Sequence, residues 1–240
     1  MIGPAFSKTS ARELLRSVAT LQIDVIADLA CPWSFLGKKR LDDALAAVHG
    51  PSMVTWYPFQ INPAMPGHGM PLEDYIARKF GDPVKLQPAL DELVVAGREQ
   101  GIDFRFDRIT RVPNTLNAHR IMNLAEQQNA DTSLLAESIL RSFFAQGLDI
   151  SDPGVLAELG AEAGLETTEI LTTLEDERSK QIVLSQEAQV RQSGVTGVPD
   201  FLVNKRLFVI GPQRTENLVN VFDRVMFGEE SDLPVSPTVH

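Results

Sequence analysis

The chain has 240 residues but only one cysteine. Because one thiol cannot pair with itself, an intramolecular disulfide is excluded, and so is a metal site made of cysteines from a single chain. This cysteine usage is typical of proteins in a reducing compartment. A chain of this length buries a full hydrophobic core without disulfides, so we expect an ordinary globular protein.

Basic residues are also scarce, since 22 lysines and arginines stand against 32 aspartates and glutamates, which gives a net charge of −10. Nucleic-acid binding normally requires a basic face. The longest basic cluster is Lys38–Arg40, which we interpret as a solvated helix face. The composition therefore predicts no nucleic-acid partner.

Long apolar runs are absent as well, because no stretch reaches the roughly 18 apolar residues that a membrane-spanning helix needs. Lys8, Arg12 and Arg16 lie near the amino terminus, but no apolar segment accompanies them, so this region does not resemble a signal peptide. We predict a cytoplasmic protein with no membrane partner.

The first part of the chain has the pattern of a βαβ unit. Leu21–Asp28 is rich in β-branched residues and apolar on both faces, which is typical of a buried central strand. A helix-like run follows from Phe35 to Val48, and a second strand is predicted at Val54–Gln60. The order strand, helix, strand favours a βαβ unit.

The middle of the chain, from about Pro71 to Gln192, has little strand signal and predicts a bundle of several helices. Asn114 is a candidate N-cap, and Asp152-Pro153 is typical of a helix start. Apolar residues at helical spacing support the prediction; they are Ala118, Ile121, Met122 and Ala125, then Leu135, Ile139 and Phe143, then Val155, Leu156, Leu159 and Ala163.

Strand character returns near the carboxyl terminus. Phe201–Val203 and Leu207–Ile210 flank Asn204-Lys205-Arg206, which predicts a β-hairpin. An amphipathic helix is predicted at Thr215–Phe227. The carboxyl-terminal part therefore has the order ββα.

These patterns together predict an α/β protein with a thioredoxin-like fold, in the order βαβ…ββα, and a large all-helical insertion domain. The amino-terminal extension is predicted to contain a short helix at Ser10–Ala19. The predicted segments are this extension (1–20), the thioredoxin-like domain (21–62 and 193–228), the insertion domain (63–192) and a flexible tail (229–240).

Cys31 is the first candidate functional residue, because it follows a buried strand and precedes a helix. A helix start presents unpaired N–H groups and a partial positive charge, which favour the thiolate and lower a cysteine pKa from about 8.5 to roughly 3.5–7.5. Pro32 sets the first turn without using a donor. The alternative is that Cys31 is a small apolar residue packed under the sheet.

The second candidate segment is Gly194–Pro199, with the sequence GVTGVP. If the Val198–Pro199 bond is cis, the backbone N–H and C=O of Val198 can hold an extended peptide or a thiol ligand beside the sulfur. The alternative is a glycine-rich loop with an ordinary trans proline.

Taken together, these motifs resemble the DsbA-like thioredoxin superfamily, and within it the FrnE-like branch of DSBA oxidoreductases. The resemblance extends from about Leu21 to Phe227. The same architecture occurs in kappa-class glutathione transferases and 2-hydroxychromene-2-carboxylate isomerases. Besides GVTGVP, the segments that carry the resemblance are Asp28-x-x-Cys31-Pro32-Trp33, Phe59-Gln60-Ile61-Asn62-Pro63 and Pro113-Asn114-Thr115-x-x-Ala118-His119-Arg120.

The sequence departs from this family at two positions. FrnE-like proteins usually carry CPWC, but Ser34 replaces the second cysteine, so this chain alone cannot oxidise proteins as a dithiol. The Ser34 hydroxyl can only donate a hydrogen bond to the Cys31 thiolate or to a bound thiol. Asp200 stands where the family often has an aromatic residue, and a carboxylate near Cys31 would disfavour the thiolate.

Three functions remain compatible with the resemblance. We favour a monothiol thiol–disulfide oxidoreductase in which Cys31 exchanges with glutathione. The first alternative is a glutathione-dependent isomerase or transferase of the 2-hydroxychromene-2-carboxylate isomerase type. The second alternative is a non-catalytic binding protein that holds a peptide or a small aromatic ligand.

The resemblance also implies a set of site residues. Cys31 and Ser34 are the predicted catalytic residues, and glutathione is the predicted co-substrate, with no tightly bound cofactor. No metal is predicted, because the other histidines lack ligand spacing. The predicted binding residues are Pro32, Trp33, Asn62, Asn114, His119, Val198, Pro199 and Gln213.

For several of these residues a structural role is the alternative. Trp33 either lines an apolar pocket or belongs to the core, and Asn114 caps a helix or contacts ligand. His119 either contacts a substrate carboxylate or carbonyl, or bonds another helix. Gln213 either receives a carboxylate of glutathione at the start of the last helix or is part of that helix cap.

Some further expectations concern neighbouring residues and partners. Asp28 is either a proton acceptor near Cys31 or a strand-end cap, and Arg111 and Arg120 are candidates for holding anionic groups. The expected partner is a small thiol or aromatic substrate, or a peptide. A homodimer is compatible with the family.

Overall fold

A computed structural model describes residues 20–48 and 50–227. The predicted helix at Ser10–Ala19 and the predicted tail at residues 229–240 lie outside the described residues. Within the described ranges, no helix is long and apolar enough to cross a membrane.

One four-stranded sheet and its helices form the thioredoxin-like part, which confirms the predicted α/β class and thioredoxin-like fold. The sheet order is β2-β1-β5-β6; β1 is parallel to β2 and antiparallel to β5, and β5 and β6 form an antiparallel hairpin. Its elements are β1 (Leu21–Ala27), α1 (Pro32–Ala47), β2 (Ser52–Pro58), then β5 (Asp200–Val203), β6 (Leu207–Ile210) and α9 (Thr215–Phe227).

The insertion between β2 and β5 is built from helices, with one short exception. The exception is an antiparallel pair of two-residue strands, in which Met70 lies opposite Val112. Strands this short have no detectable alternation, so no hydrophobic pattern predicts them. The insertion comprises β3 (Met70–Pro71), α2 (Leu72–Lys79), α3 (Gln87–Glu99), β4 (Arg111–Val112), α4 (Leu116–Gln127), α5 (Thr132–Arg141), α6 (Pro153–Glu162), α7 (Thr167–Glu175) and α8 (Glu177–Gln192).

Apolar packing explains why these sequences form these elements. β1 is almost wholly buried, and its residues pack with Leu41, Phe201 and Phe222 between the sheet and helices α1 and α9. A larger cluster fills the insertion and includes the helical-spacing residues of α4 and α5, such as Ile121 and Ile139. The two clusters place the start of α1 where the sheet meets the insertion.

Lys38 and Arg40 correct one prediction, because they do not lie on a solvated helix face. Lys38 is buried, with its Nζ 2.6 Å from Asp42 and 2.8 Å from Glu137 of α5. The Arg40 guanidinium donates to the Pro212 carbonyl at 2.7 Å. The basic cluster therefore ties α1 to the insertion on one side and to the loop before α9 on the other.

Candidate active site

Cys31 lies at the N-cap position of α1, and its Sγ donates to the Val198 carbonyl at 3.7 Å. The Val198–Pro199 peptide bond is cis, which is the conformation considered from the sequence. Gly37 makes the close approach possible, because a Cβ at this position would lie 2.8 Å from Pro199 Cγ. The two sequence motifs therefore meet at the sulfur.

Burial reverses the expected direction of the Cys31 pKa. The side chain is only 5% exposed, and this desolvation raises the thiol pKa from 9.0 to about 11. The backbone N–H and hydroxyl of Ser34 and the backbone N–H of Trp33 oppose the rise, while the negative charge of Asp28 adds to it. The helix start does stabilise the thiolate, but burial has the larger effect.

Ser34 is buried directly behind the thiol, on the first turn of α1. Its Oγ accepts a weak hydrogen bond from Asp28 N at 3.4 Å, and its hydroxyl favours the Cys31 thiolate. Pro32 occupies the first position of α1, where a missing N–H has no cost. This turn orients the sulfur without supplying a second one.

Asp28 and His119 form a buried pair beside this turn. Asp28 accepts from the backbone N–H of Ala30 at 3.2 Å and of Ile61 at 2.7 Å. His119 of α4 is 6% exposed, and its Nε2 lies 3.7 Å from Asp28 Oδ1, too far for a hydrogen bond. Nε2 has no hydrogen-bond partner among the described residues.

Asn62 and Asn114 contact protein groups within the insertion. Asn62 Oδ1 accepts from Tyr75 at 3.3 Å and from Lys79 at 3.1 Å. Asn114 Oδ1 accepts from Leu116 N at 2.9 Å, while its Nδ2 donates to Met65 O at 2.7 Å. The N-cap position of α4 is Thr115, one residue after the predicted Asn114. The Asn114 side chain still accepts from the first turn of this helix.

Trp33 and Gln213 line one groove of about 910 Å³ between α1, α3 and the start of α9. Its apolar wall includes Val95 and Ile210, which are 59% and 64% exposed. Gln213 donates to Ile210 O at 2.7 Å and so also fixes the loop before α9. Both of the roles weighed for Gln213 are therefore geometrically available.

The charges in this groove are divided between its two sides. Asp91, Glu92 and Glu99 line it from α3, while Arg40 and Arg214 line it from the α1 and α9 sides. Burial lowers the pKa of Arg40, and the positive charge of Arg214 lowers it further. A ligand with an anionic end and a less charged end matches this division better than a uniformly acidic one.

Asp200 and Arg120 have structural partners. Asp200 is buried and accepts a hydrogen bond from Gly211 N at 2.9 Å. Arg120 donates to Thr173 O, and to Asp176 O at 2.8 Å, and so joins α4 to α7. Arg111 donates to the His68 carbonyl at 2.7 Å. These contacts favour a structural role over anion binding for both arginines.

Two features of the site lay beyond the reach of sequence reasoning. The α3 wall of the groove, with Val95 and Asp91, comes from a helix that carries no motif. The short distance between Asp28 and His119 depends on how the insertion docks against the sheet. The sequence indicates a link between Asp28 and His119 only in that each belongs to a segment that carries the family resemblance. Among the described residues, no group of three or more potential ligands could hold a metal ion.

A sheet of this order, with a thiol at the start of α1 and a cis proline opposite it, defines a thioredoxin-like protein with a helical insertion. The chain belongs to the DSBA-like thioredoxin domain family, whose match spans residues 22–223. The matched residues include the candidate site and the whole insertion.

Several individual proteins are also similar to this chain. The chain is 25% identical over 187 residues to the uncharacterised protein YwbO of Bacillus subtilis (strain 168), covering 77% of this chain and 87% of YwbO. The crystal structure of the probable DsbA oxidoreductase SCO1869 from Streptomyces coelicolor is 27% identical, with a TM-score of 0.77 and coverage of 90% and 93%. The fold is also shared with the cytosolic disulfide reductase DsbM of Pseudomonas aeruginosa, solved with GSH, at 19% identity and a TM-score of 0.59, covering 85% of this chain and 95% of DsbM.

Proposed function

We propose that this protein is a monothiol thiol–disulfide oxidoreductase that works in the reducing direction, with glutathione as its co-substrate. The observation that carries the proposal is the position of Cys31 at the start of α1, with its Sγ 3.7 Å from the Val198 carbonyl. The chain holds no second cysteine, so a mixed disulfide at Cys31 must be resolved by a thiol from outside.

The raised pKa of Cys31 supports the reducing direction. A disulfide is a strong oxidant when the thiolate that its reduction releases is stabilised, because the reduced form is then favoured. Burial raises the pKa of Cys31 to about 11, so its thiolate is disfavoured and sulfur held in a disulfide is favoured. Cys31 therefore accepts a glutathionyl group from a mixed disulfide more readily than its own mixed disulfide oxidises a substrate thiol.

The reaction takes two exchange steps. The Cys31 thiolate attacks a mixed disulfide R–S–S–G, forms Cys31–S–S–G and releases the substrate thiolate, which takes up a proton as RSH. A glutathione thiolate then attacks Cys31–S–S–G, forms glutathione disulfide and restores the Cys31 thiol. The net result is reduction of R–S–S–G by one glutathione. A reducing compartment supplies that glutathione, so a cytoplasmic location remains our prediction.

The groove beside Trp33 suits these substrates. Arg40, Arg214 and Gln213 offer donors to a carboxylate of glutathione, and Val95 and Ile210 offer an apolar wall to the R group. The carbonyl of Val198 is available to an extended backbone when the Cys31 thiol no longer donates to it. The R group is therefore proposed to be a small aromatic thiol or a short peptide. DsbM, which shares the fold, is described as a disulfide reductase and was solved with GSH.

The test uses the reduced full-length chain and a glutathionylated peptide. We expect intact-mass spectrometry to detect one glutathione adduct on the wild-type chain, removal of the adduct by added glutathione, and no adduct on Cys31→Ser. Ser34→Cys is the matched variant, since its new thiol expels glutathione and leaves an internal disulfide. A wild-type chain that stays unmodified while the peptide remains glutathionylated would overturn the proposal.

The buried Ser34 hydroxyl and the high Cys31 pKa favour one second candidate, a glutathione-dependent isomerase or transferase. The reactive thiolate would then belong to bound glutathione, and Ser34 would donate to it. Glutathione binding measured by calorimetry separates the candidates. Unchanged affinity and retained glutathione-dependent turnover in Cys31→Ser would favour the isomerase.

A further inference from the structure

The unpartnered nitrogen of His119 is the starting observation. Its Nε2 is buried, faces Asp28 Oδ1 at 3.7 Å, and accepts or donates no hydrogen bond among the described residues. A buried polar atom left without a partner costs roughly 1–3 kcal/mol. The Asp28 carboxylate beside it already accepts hydrogen bonds from two backbone N–H groups. The stability of the fold therefore does not explain why Nε2 is buried without a partner.

Ionisation of the neighbouring Cys31 thiol suggests a role for this nitrogen. When Cys31 ionises, its negative charge forms near that of Asp28, and two neighbouring buried anions repel each other. A positive charge beside Asp28 offsets that repulsion. Among the described residues, the His119 imidazole is the one basic group within 4.0 Å of the Asp28 carboxylate, and it can supply such a charge by gaining a proton while the thiol loses its own.

We propose that His119 is a positioning residue for Cys31, which acts through Asp28 and takes up the proton that the thiol releases. The thiolate then forms together with an imidazolium, and Asp28 keeps its charge throughout. No atom is lost in this step, since one proton moves from Sγ to the imidazole. The inference rests on the proposed function, because it concerns how the same thiol is made reactive.

A small cavity lies beside His119. His119 lines a cavity of about 90 Å³ at the outer edge of β2, separate from the substrate groove. That volume has room for a few water molecules. The other titratable groups that face it are Tyr57 from β2 and Glu126 from α4, while α8 contributes the neutral Gln186.

The test is the pH dependence of Cys31 alkylation by a small reagent on the native chain. In the wild type, the rate should rise until the imidazole loses its proton, level off, and rise again only where the bare thiol ionises. The plateau arises because the thiolate–imidazolium form and the neutral form carry the same number of protons. In His119→Gln the rate should instead rise about tenfold per pH unit throughout, and at pH 7 it should be at least about tenfold below the wild type.

Two further variants make the test specific. His68→Gln is the matched control, since it makes the same change at an exposed histidine and should keep the plateau. Asp28→Asn should remove the plateau, and adding His119→Gln to it should change nothing more. If His119→Gln does not fold, as judged by circular dichroism, His119→Asn carries the same expectation.

The outcomes separate the two proposals. A wild-type profile without a plateau, or a plateau that survives His119→Gln, overturns the role of His119 and leaves glutathione exchange standing. A thiol that is not alkylated until the chain is denatured overturns both. Loss of the plateau in His119→Gln but not in His68→Gln supports the inference.

Discussion

Two buried carboxylates hold the segment that follows β2, and they are partnered very differently. Glu187 of α8 accepts from Gln60 N at 2.9 Å, from Gln60 Nε2 at 2.7 Å, and from Arg191 Nε at 3.1 Å and Nη2 at 2.6 Å. Asp28 accepts from two backbone N–H groups, and its side-chain neighbour His119 stays 3.7 Å away.

Glu187 has the partners of a structural carboxylate, whereas Asp28 is free to take part in chemistry. Glu187 has enough donors to offset its desolvation, one of them an arginine that also stacks on Phe59 at 4.0 Å. Asp28 has a side-chain neighbour, the His119 imidazole, that does not donate a hydrogen bond to it. A burial percentage alone does not distinguish the two, because both side chains are buried.

The largest expected loss of stability comes from replacing Glu187, the carboxylate with more hydrogen-bond donors. Glu187→Ala leaves Gln60 N–H buried without an acceptor and Arg191 without its carboxylate, so the free energy of unfolding should fall by about 3 kcal/mol. Urea denaturation measures this. The plateau in Cys31 alkylation should remain, because Asp28 keeps its own partners.

The control for Glu187 lies on the same helix. Glu177→Ala removes an exposed carboxylate that pairs with Lys180 at 3.1 Å, and should change stability by less than about 0.5 kcal/mol. A similar loss in both variants would mean that helix α8, and not the Glu187 cluster, sets the cost.

A smaller effect on stability is expected from the incompletely partnered carboxylate. Asp28→Asn keeps one carbonyl oxygen for a backbone N–H but loses the second, so the expected loss is about 1 kcal/mol. The negative charge that helps raise the Cys31 pKa is removed as well. The alkaline inflection of Cys31 alkylation should therefore move to lower pH.

Asp24→Asn provides the comparison for Asp28. Asp24 is a buried carboxylate of β1 paired with Lys205. Its replacement should leave the alkylation profile unchanged. An equal shift from both variants would show that the Cys31 pKa responds to total charge and not to Asp28 in particular.

The sequence predicted the elements of this site better than its electrostatics. Cys31 at a helix start and the segment before Pro199 follow from local patterns, and the structure joins them. The direction of the Cys31 pKa does not follow, since burial depends on how Phe35 and Leu36 pack against the insertion. The burial of Lys38 does not follow from local patterns either, because its partner Glu137 lies on a helix that is distant in sequence.

Asp200 is a further buried carboxylate with a single backbone donor, and its replacement is expected to have an effect of opposite sign. Asp200 accepts one backbone hydrogen bond, from Gly211, and burial raises its pKa from 3.8 to about 6. The folded chain therefore holds a proton there that the unfolded chain has already released. Stability from this group is present below about pH 4 and is lost as the pH rises through about 6.

Asp200→Asn should therefore stabilise the protein, because the amide oxygen still accepts from Gly211 and carries no charge. We expect a gain of about 1 kcal/mol at pH 7.5 and none at pH 4, measured by urea denaturation at both values. A gain of the same size at both pH values would mean that side-chain packing, and not ionisation, sets the difference. With four, two and one donors, Glu187, Asp28 and Asp200 would then form a series in which the number of hydrogen bonds decides whether a buried carboxylate stabilises the fold or costs it stability.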